Sequence, residues 1–346
     1  MASENIKSMN YSRRPHAKTP RRKVNLGIAI RNEIINPKSS LAFSASLHSK
    51  GMLRLGEGLF LIIPFLLLLS CQSVPKGASA FLHDSNYAPL DSGASVYIFA
   101  DVTKARSIIE LLPFDELNDK QVKQMLDKTG FITAGIFPEE TKRHFQLVTW
   151  GKYPGNANMA FSVNKNWKKH RNAVRSTYWY SGAQKLSIAI NKKQVFAASW
   201  LHDNPMEPFS AEPGIKIPDG FNSFRRGQGT GAPLSCWINN PGPIISRVMN
   251  DAGIPLRFPI QQLYLNLFTL SGEQYEAVIR FQLESALQAR GMATILALAG
   301  SFAVENILTS IFLANPPVQN ENNIDIKTAP LSKNELSLLL EMFSLY

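Results

Sequence analysis

Hydrophobic positions along the chain follow three spacings, and each occupies its own stretches. The longest unbroken apolar run covers residues 59–69, eleven positions with Pro64 inside. A bilayer span needs about 20 such residues. Short runs rich in β-branched and aromatic residues recur at 96–100, 131–137, 144–150, 186–190, 194–200, 234–238, 263–270, 275–282 and 323–328, and these predict strands. Helical spacing appears after Asp101, where Val102, Ala105, Ile108, Ile109 and Leu112 share one face. It appears again after Asn118, over 155–169, after Asn240, from Glu284 to about residue 312, and over 332–343.

The order of these elements gives the fold class. Strand, helix, hairpin and helix follow one another from Ser95 and again from Leu234. This predicts an α+β body over 95–346 with a mostly antiparallel sheet and packed helices. Its two halves, about 95–200 and 234–346, read as pseudo-repeats of architecture, since their residues barely match. Residues 201–233 are rich in Pro, Gly, Asn and Ser and are expected to form a long surface loop.

Charge separates the first 70 residues from the rest. The whole chain carries 37 basic and 26 acidic residues, net +11. Residues 1–51 hold ten Lys and Arg against Glu4 and Glu33, with no sustained hydrophobic period. They are expected to be a disordered leader upstream of a true start at Met52, with an organelle transit peptide as the alternative. From Cys71 onward the count is 26 basic against 23 acidic. A strongly basic chain suggests nucleic acid or anionic membrane, whereas a chain near +3 excludes nucleic acid as the expected partner.

The stretch 52–73, MLRLGEGLFLIIPFLLLLSCQS, has a charged start, an apolar centre and then Leu68-Leu69-Ser70-Cys71. Its last four residues resemble the lipobox of bacterial lipoproteins. That resemblance implies a signal peptide over 52–70, cleavage before Cys71 and a covalent lipid on Cys71. An uncleaved anchor and a buried core helix are the competing readings. Residues 71–94 are expected to be a flexible tether. The remaining cysteine, Cys236, has no partner for a disulfide and reads as a small core residue.

Candidate chemistry in the body is thin. His83, His144, His170 and His202 show no ligand spacing, so neither a metal nor a cofactor is expected. His202 beside Asp203 could serve an acid/base role in a hydrolase, but a surface histidine is the expected state. Arg225, Arg226, Gly227, Gly229 and Gly231 form an anion-loop candidate in which glycines let the backbone approach a ligand. Lys165, Lys168, Lys169, Arg171 and Arg175 lie near Trp167, Tyr178, Trp179 and Tyr180, a mixture suited to an anionic lipid surface or simply to a solvated face over an aromatic strand. Residues 291–304 contain no charge. They predict either a core helix or one that contacts membrane or an apolar ligand through Met292, Ile295, Leu296, Ala299, Phe302 and Ala303.

The lipobox, the tethered α/β body and the apolar helical stretches together resemble treponemal outer-membrane lipoproteins with membrane-inserting amphipathic helices. The resemblance implies attachment to the periplasmic face of the outer membrane and contact with membrane lipids. The expected function is therefore that of a non-enzymatic envelope lipoprotein. A protein-binding scaffold or assembly lipoprotein with envelope-protein partners is the alternative, and an envelope hydrolase comes third.

Overall fold

Alternation along residues 96–101 decides how the sheet is covered. Val96 and Ala100 enter one apolar cluster, and Tyr97 and Phe99 enter another on the opposite face. The structure, a computed structural model, describes residues 87–111, 123, 125–138, 143–171, 176–191, 193–202, 205, 214–227, 231–239, 241–242, 245, 259–302 and 315–344. Their elements, in chain order, are β1 (Tyr87–Ala88), β2 (Val96–Asp101), α1 (Val102–Ile109), β3 (Thr129–Ile136), β4 (Phe145–Gly151), α2 (Ala157–Val163), β5 (Lys168–Arg171), β6 (Thr177–Ser181), β7 (Leu186–Ile190) and β8 (Gln194–Ala198). There follow β9 (Ile215–Lys216), α3 (Asp219–Arg226), β10 (Leu234–Asn239), β11 (Ile260–Thr269), β12 (Tyr275–Leu283), α4 (Ala286–Phe302), β13 (Val318–Asn320), β14 (Asn323–Lys327) and α5 (Lys333–Ser344).

Twelve strands form one sheet in the order β13-β14-β12-β11-β10-β2-β3-β4-β8-β7-β6-β5, and every pairing in it is antiparallel. The fold is thus mixed α and β with a mostly antiparallel sheet. The runs β2-β3-β4 and β10-β11-β12 extend outward from the central β2/β10 pair. This correspondence is one of element order alone. The turn between β11 and β12 holds Gly272 at φ +73 and Glu273 at φ 56. Only glycine adopts the first of these without cost, which fits the turn predicted from Ser-Gly-Glu-Gln.

One face of the sheet packs under α1, α4 and α5. Leu234, Leu265, Leu267, Ala277 and Ile279 meet Ile108, Leu336 and Leu339 there. Ile324, Ile326 and Leu283 meet Ala289 and Met292. Farther along the same face, α2 seats Ala157 and Phe161 against Trp167, Trp179 and Ile188. Asp101 caps α1 by accepting hydrogen bonds from the Thr103 and Lys104 amides at 3.1 and 3.4 Å. The opposite face is aromatic, with Tyr97 stacked on Trp237 at 4.7 Å and Phe221 tilted against Tyr264 at 5.3 Å.

Three expectations are corrected. Residues 201–233 are not simply a surface loop, because β9 and α3 lie within them and Phe221 and Phe224 are buried. The sequence DGFNSFRR has strong helix formers only in its last two arginines, and α3 is held by those two rings docking on the aromatic face. The tether ends earlier than Ala94. Ala88, Leu90 and Ala94 are buried in the aromatic cluster, and β1 pairs with β9, so residues 87–94 belong to the body. The helix expected over 155–169 stops at Val163 and gives way to β5, since Asn164 turns extended at its C-terminus. The helix expected after Asn240 falls largely outside the described residues, as do residues 1–86.

Candidate functional site

The charge-free segment of the sequence becomes α4, and its phase on the sheet can now be stated. Ala289, Met292, Ala293 and Leu296 pack inward on Ile260, Leu283 and the β14 isoleucines. Met292 is only 3% exposed. On the other side, Leu287 and Leu298 are 78% and 54% exposed, and Gly291, Thr294 and Ala297 are exposed with them. Positions 287, 291, 294 and 298 fall on one helical stripe. Burial therefore removes Met292 from the expected lipid-contact set, and Leu296 packs partly against the core. Ile295 is half-buried. The side chains of Ala299 and Phe302, and all of Ala303, lie outside the described residues. Sequence reasoning missed Leu298 because the charge-free run 291–304 has no polar face from which to read its inward side, and missed Leu287 because it precedes that run. No helix among the described residues is long and apolar enough to cross a membrane.

The histidine expected on the surface is buried. His202 lies 3.2 Å from Asp91 through Nε2, and its ring rests against Phe196 and Trp200. Its amide donates to Ser187 Oγ at 3.1 Å, and Ser187 Oγ donates to the Trp200 carbonyl. Arg143 reaches Asp91 at 3.5 Å and lies over the Trp200 ring at 5.2 Å. The Asp91 amide donates to Gln146 Oε1 at 2.7 Å. Burial works to raise the Asp91 carboxyl, but the hydrogen bond and charge of His202, with Arg143 and Gln146, outweigh it and hold the group below its ordinary value. This cluster ties residues 87–94 to β4 and to the chain after β8. Asp203, the expected partner of His202, lies outside the described residues.

The anion-loop candidate is not a loop through most of its length. Arg225 and Arg226 are the last residues of α3, and Gly227 ends that helix at φ −66. Arg225 is 2% exposed, with its guanidinium 5.1 Å from the Phe99 ring centroid. It is thus part of the aromatic core, while Arg226 is exposed. Gly231 has φ +76, and Gly229 lies outside the described residues. Arg280 makes a bidentate pair with Asp325 at 2.6 Å and lies over the Phe224 ring of α3 at 4.8 Å. Cys236 packs against the central cluster, and burial pushes its thiol up to about 12. That state is unreactive at neutral pH. Of the aromatics near the basic cluster, Trp167, Tyr178 and Trp179 are core residues.

A family model described as outer membrane-associated lipoprotein TP0453 matches residues 86–324. The chain belongs to this family. Among its relatives, Outer membrane protein TP0453 of Treponema pallidum (strain Nichols) is 24% identical over 211 residues, 56% of this chain and 70% of that protein. Crystal form III of TP0453 superposes with a TM-score of 0.52 at 18% identity, covering 76% of this chain and 98% of that one. Crystal form I gives 0.51 at 19% identity, with the same two coverages. These structures share the fold. As a member of the TP0453 family, the protein is a lipoprotein of the bacterial outer membrane. The match starts one residue before β1 and ends inside β14, so it includes α4 and leaves out Cys71 and α5.

Proposed function

We propose that the protein is a non-enzymatic outer-membrane lipoprotein, lipidated at Cys71, whose body binds membrane lipid through the outer stripe of α4. The observation that carries this reading is the exposure of Leu287 and Leu298 on a helix whose inner stripe is already in the core. Single exposed apolar residues are ordinary on protein surfaces. Two leucines aligned on a helix with no charged residue from 291 onward are better explained by an apolar medium outside the protein. One acyl chain gives only marginal attachment, so further chains and helix contact would reinforce one another.

The test is flotation of the mature chain, residues 71–346 carrying Cys71→Ala, which lacks both the signal peptide and the lipid, with phosphatidylcholine vesicles. The expected result is flotation that survives high salt and is lost in Leu298→Asp while the unfolding transition stays in place. Equal flotation of the Leu298→Asp chain would overturn the role of α4. Palmitate incorporation in cells, expected in the native chain and absent in Cys71→Ala, tests the anchor separately.

A further inference from the structure

Residues 141–202 contain eleven Lys and Arg and not one Asp or Glu. A stretch of that length in an average soluble domain would hold about seven carboxylates. The rest of the chain from Cys71 carries 15 basic and 23 acidic residues, so the segregation is two-sided. In the fold this segment is contiguous. It supplies β4, β8, β7, β6 and β5, which are the last five strands at one end of the sheet, together with α2. We propose that this end is an electrostatic docking surface for the anionic phospholipid headgroups of a bilayer, separate from α4, which packs against β12, β13 and β14 at the other end.

Three observations support a membrane as the occupant. First, the charges are available. Lys165, Lys168, Lys169, Arg171, Lys185 and Lys193 are exposed, and among the described residues no carboxylate lies within ion-pair distance of any of them. Asp91 reaches this end of the sheet, and it is engaged by Arg143 and His202. Charges on β5 alone would blunt an open sheet edge against pairing. Blunting does not require the exclusion of carboxylates from five strands. Second, apolar side chains project among the charges. Inward-facing Ala157 and Phe161 fix α2 on its core, which leaves Met159 and Val163 one turn apart and 67% and 76% exposed beside β5. Exposed apolar residues beside the lysines of β5 suit a surface with anionic headgroups above hydrocarbon, and a polyanion such as nucleic acid offers nothing to the valine. Third, the chain enters the body on this side. Asp91, four residues after Tyr87, meets β4 and the chain after β8, and only fifteen residues lie between Cys71 and Tyr87. Sixteen positions reach at most about 55 Å, so a lipid on Cys71 keeps the body near the bilayer.

The deciding experiment is binding of the mature chain, residues 71–346 carrying Cys71→Ala and so free of the basic leader and the signal peptide, to vesicles of phosphatidylcholine with or without phosphatidylglycerol, read across a salt titration. Each basic residue near an anionic surface contributes roughly a fivefold gain in affinity. The combined variant Lys165→Glu, Lys168→Glu, Lys169→Glu and Arg171→Glu is expected to lose more than about a thousandfold in affinity for phosphatidylglycerol vesicles at low salt, with its unfolding transition retained. Met159→Ser with Val163→Ser is expected to keep the salt-dependent binding and weaken what remains at high salt. The proposal is overturned if the charge-reversed chain binds phosphatidylglycerol like the parent, or if the parent does not discriminate between the two vesicles. It is overturned equally if the parent is held more tightly by duplex DNA than by phosphatidylglycerol vesicles at the same salt. Should charge reversal unfold the chain, exchange of the same four residues for Gln replaces it. That variant is expected to lose about six hundredfold, and undiminished binding by it overturns the proposal in the same way. Failure of the α4 reading is distinguishable, since it concerns salt-resistant binding to neutral vesicles and the effect of Leu298→Asp.

Discussion

Helices α4 and α5 cover the same face of the sheet, and both begin at a serine with an amide-bonding residue three positions on. Ser332 and Glu335 form a reciprocal box, in which the Ser332 amide donates to Glu335 Oε2 at 2.7 Å and the Glu335 amide to Ser332 Oγ at 3.4 Å. Ser285 accepts from the Gln288 amide at 3.3 Å, but Gln288 turns its side chain to Glu284. The larger contrast is in the bodies. In α5, Leu336 and Leu339 are fully buried, and the exposed Leu338 stands one turn from the polar Asn334 and Glu335. In α4 the same core requirement is met by Ala289 and Met292, and apolar side chains continue around the other side. A helix needs one apolar face to hold a sheet, so hydrophobicity in excess of that face points to a second apolar environment.

The largest effects lie where the two helices are alike. Leu339→Ala should cost about 2–5 kcal/mol of stability, and Met292→Ala an amount in the same range, because each leaves a cavity in a packed cluster. Chemical denaturation measures both. If Met292→Ala is silent, the inward phase of α4 is wrong and the comparison fails.

An intermediate effect comes from the capping boxes. Ser332→Ala should cost about 1 kcal/mol. The Ser332 backbone amide, and then its hydroxyl, hold the Glu335 carboxyl below its ordinary value. Its contribution is therefore complete above the unfolded value of about 4.3 and is lost as pH falls through the lower folded value. The difference in Tm between the native chain and Glu335→Ala should narrow below about pH 4 and be steady above about pH 5. A difference that widens on acidification would contradict the box.

Most of the sheet was legible in the sequence because its signal is local. The short β-branched and aromatic runs at 96–100, 186–190 and 234–238 lie within β2, β7 and β10, and the run at 323–328 exceeds β14 by one residue. What escaped depended on partners distant in sequence. Helix α3 exists because Phe221 and Phe224 find Phe99, Trp237 and Tyr264, and the terminal charges and one apolar pair of DGFNSFRR are too short a period to announce it alone. His202 is buried because Asp91, 111 residues earlier, waits for it. The polar residues of 87–94 hide Ala88, Leu90 and Ala94, which are spaced too irregularly to signal burial. The absence of carboxylates from 141–202 was countable, yet it acquires meaning only when those residues prove to share one end of the sheet.

The smallest expected effect on stability is the most informative about function. Leu298 is 54% exposed, packs on no cluster and lies on the stripe opposite Met292. Replacing it by serine should change the free energy of unfolding by less than about 0.5 kcal/mol, the range for surface positions away from caps and cores. The same change removes apolar carbons that the helix would place in hydrocarbon, where each buried methylene contributes about 0.8 kcal/mol. Flotation with neutral vesicles should therefore fall by more than about tenfold while denaturation is unmoved. Leu338→Ser on α5, also exposed but outside any apolar stripe, should leave both measurements unchanged. If Leu338→Ser reduces flotation as much as Leu298→Ser, exposure alone governs the contact, and the distinction between the two helices disappears.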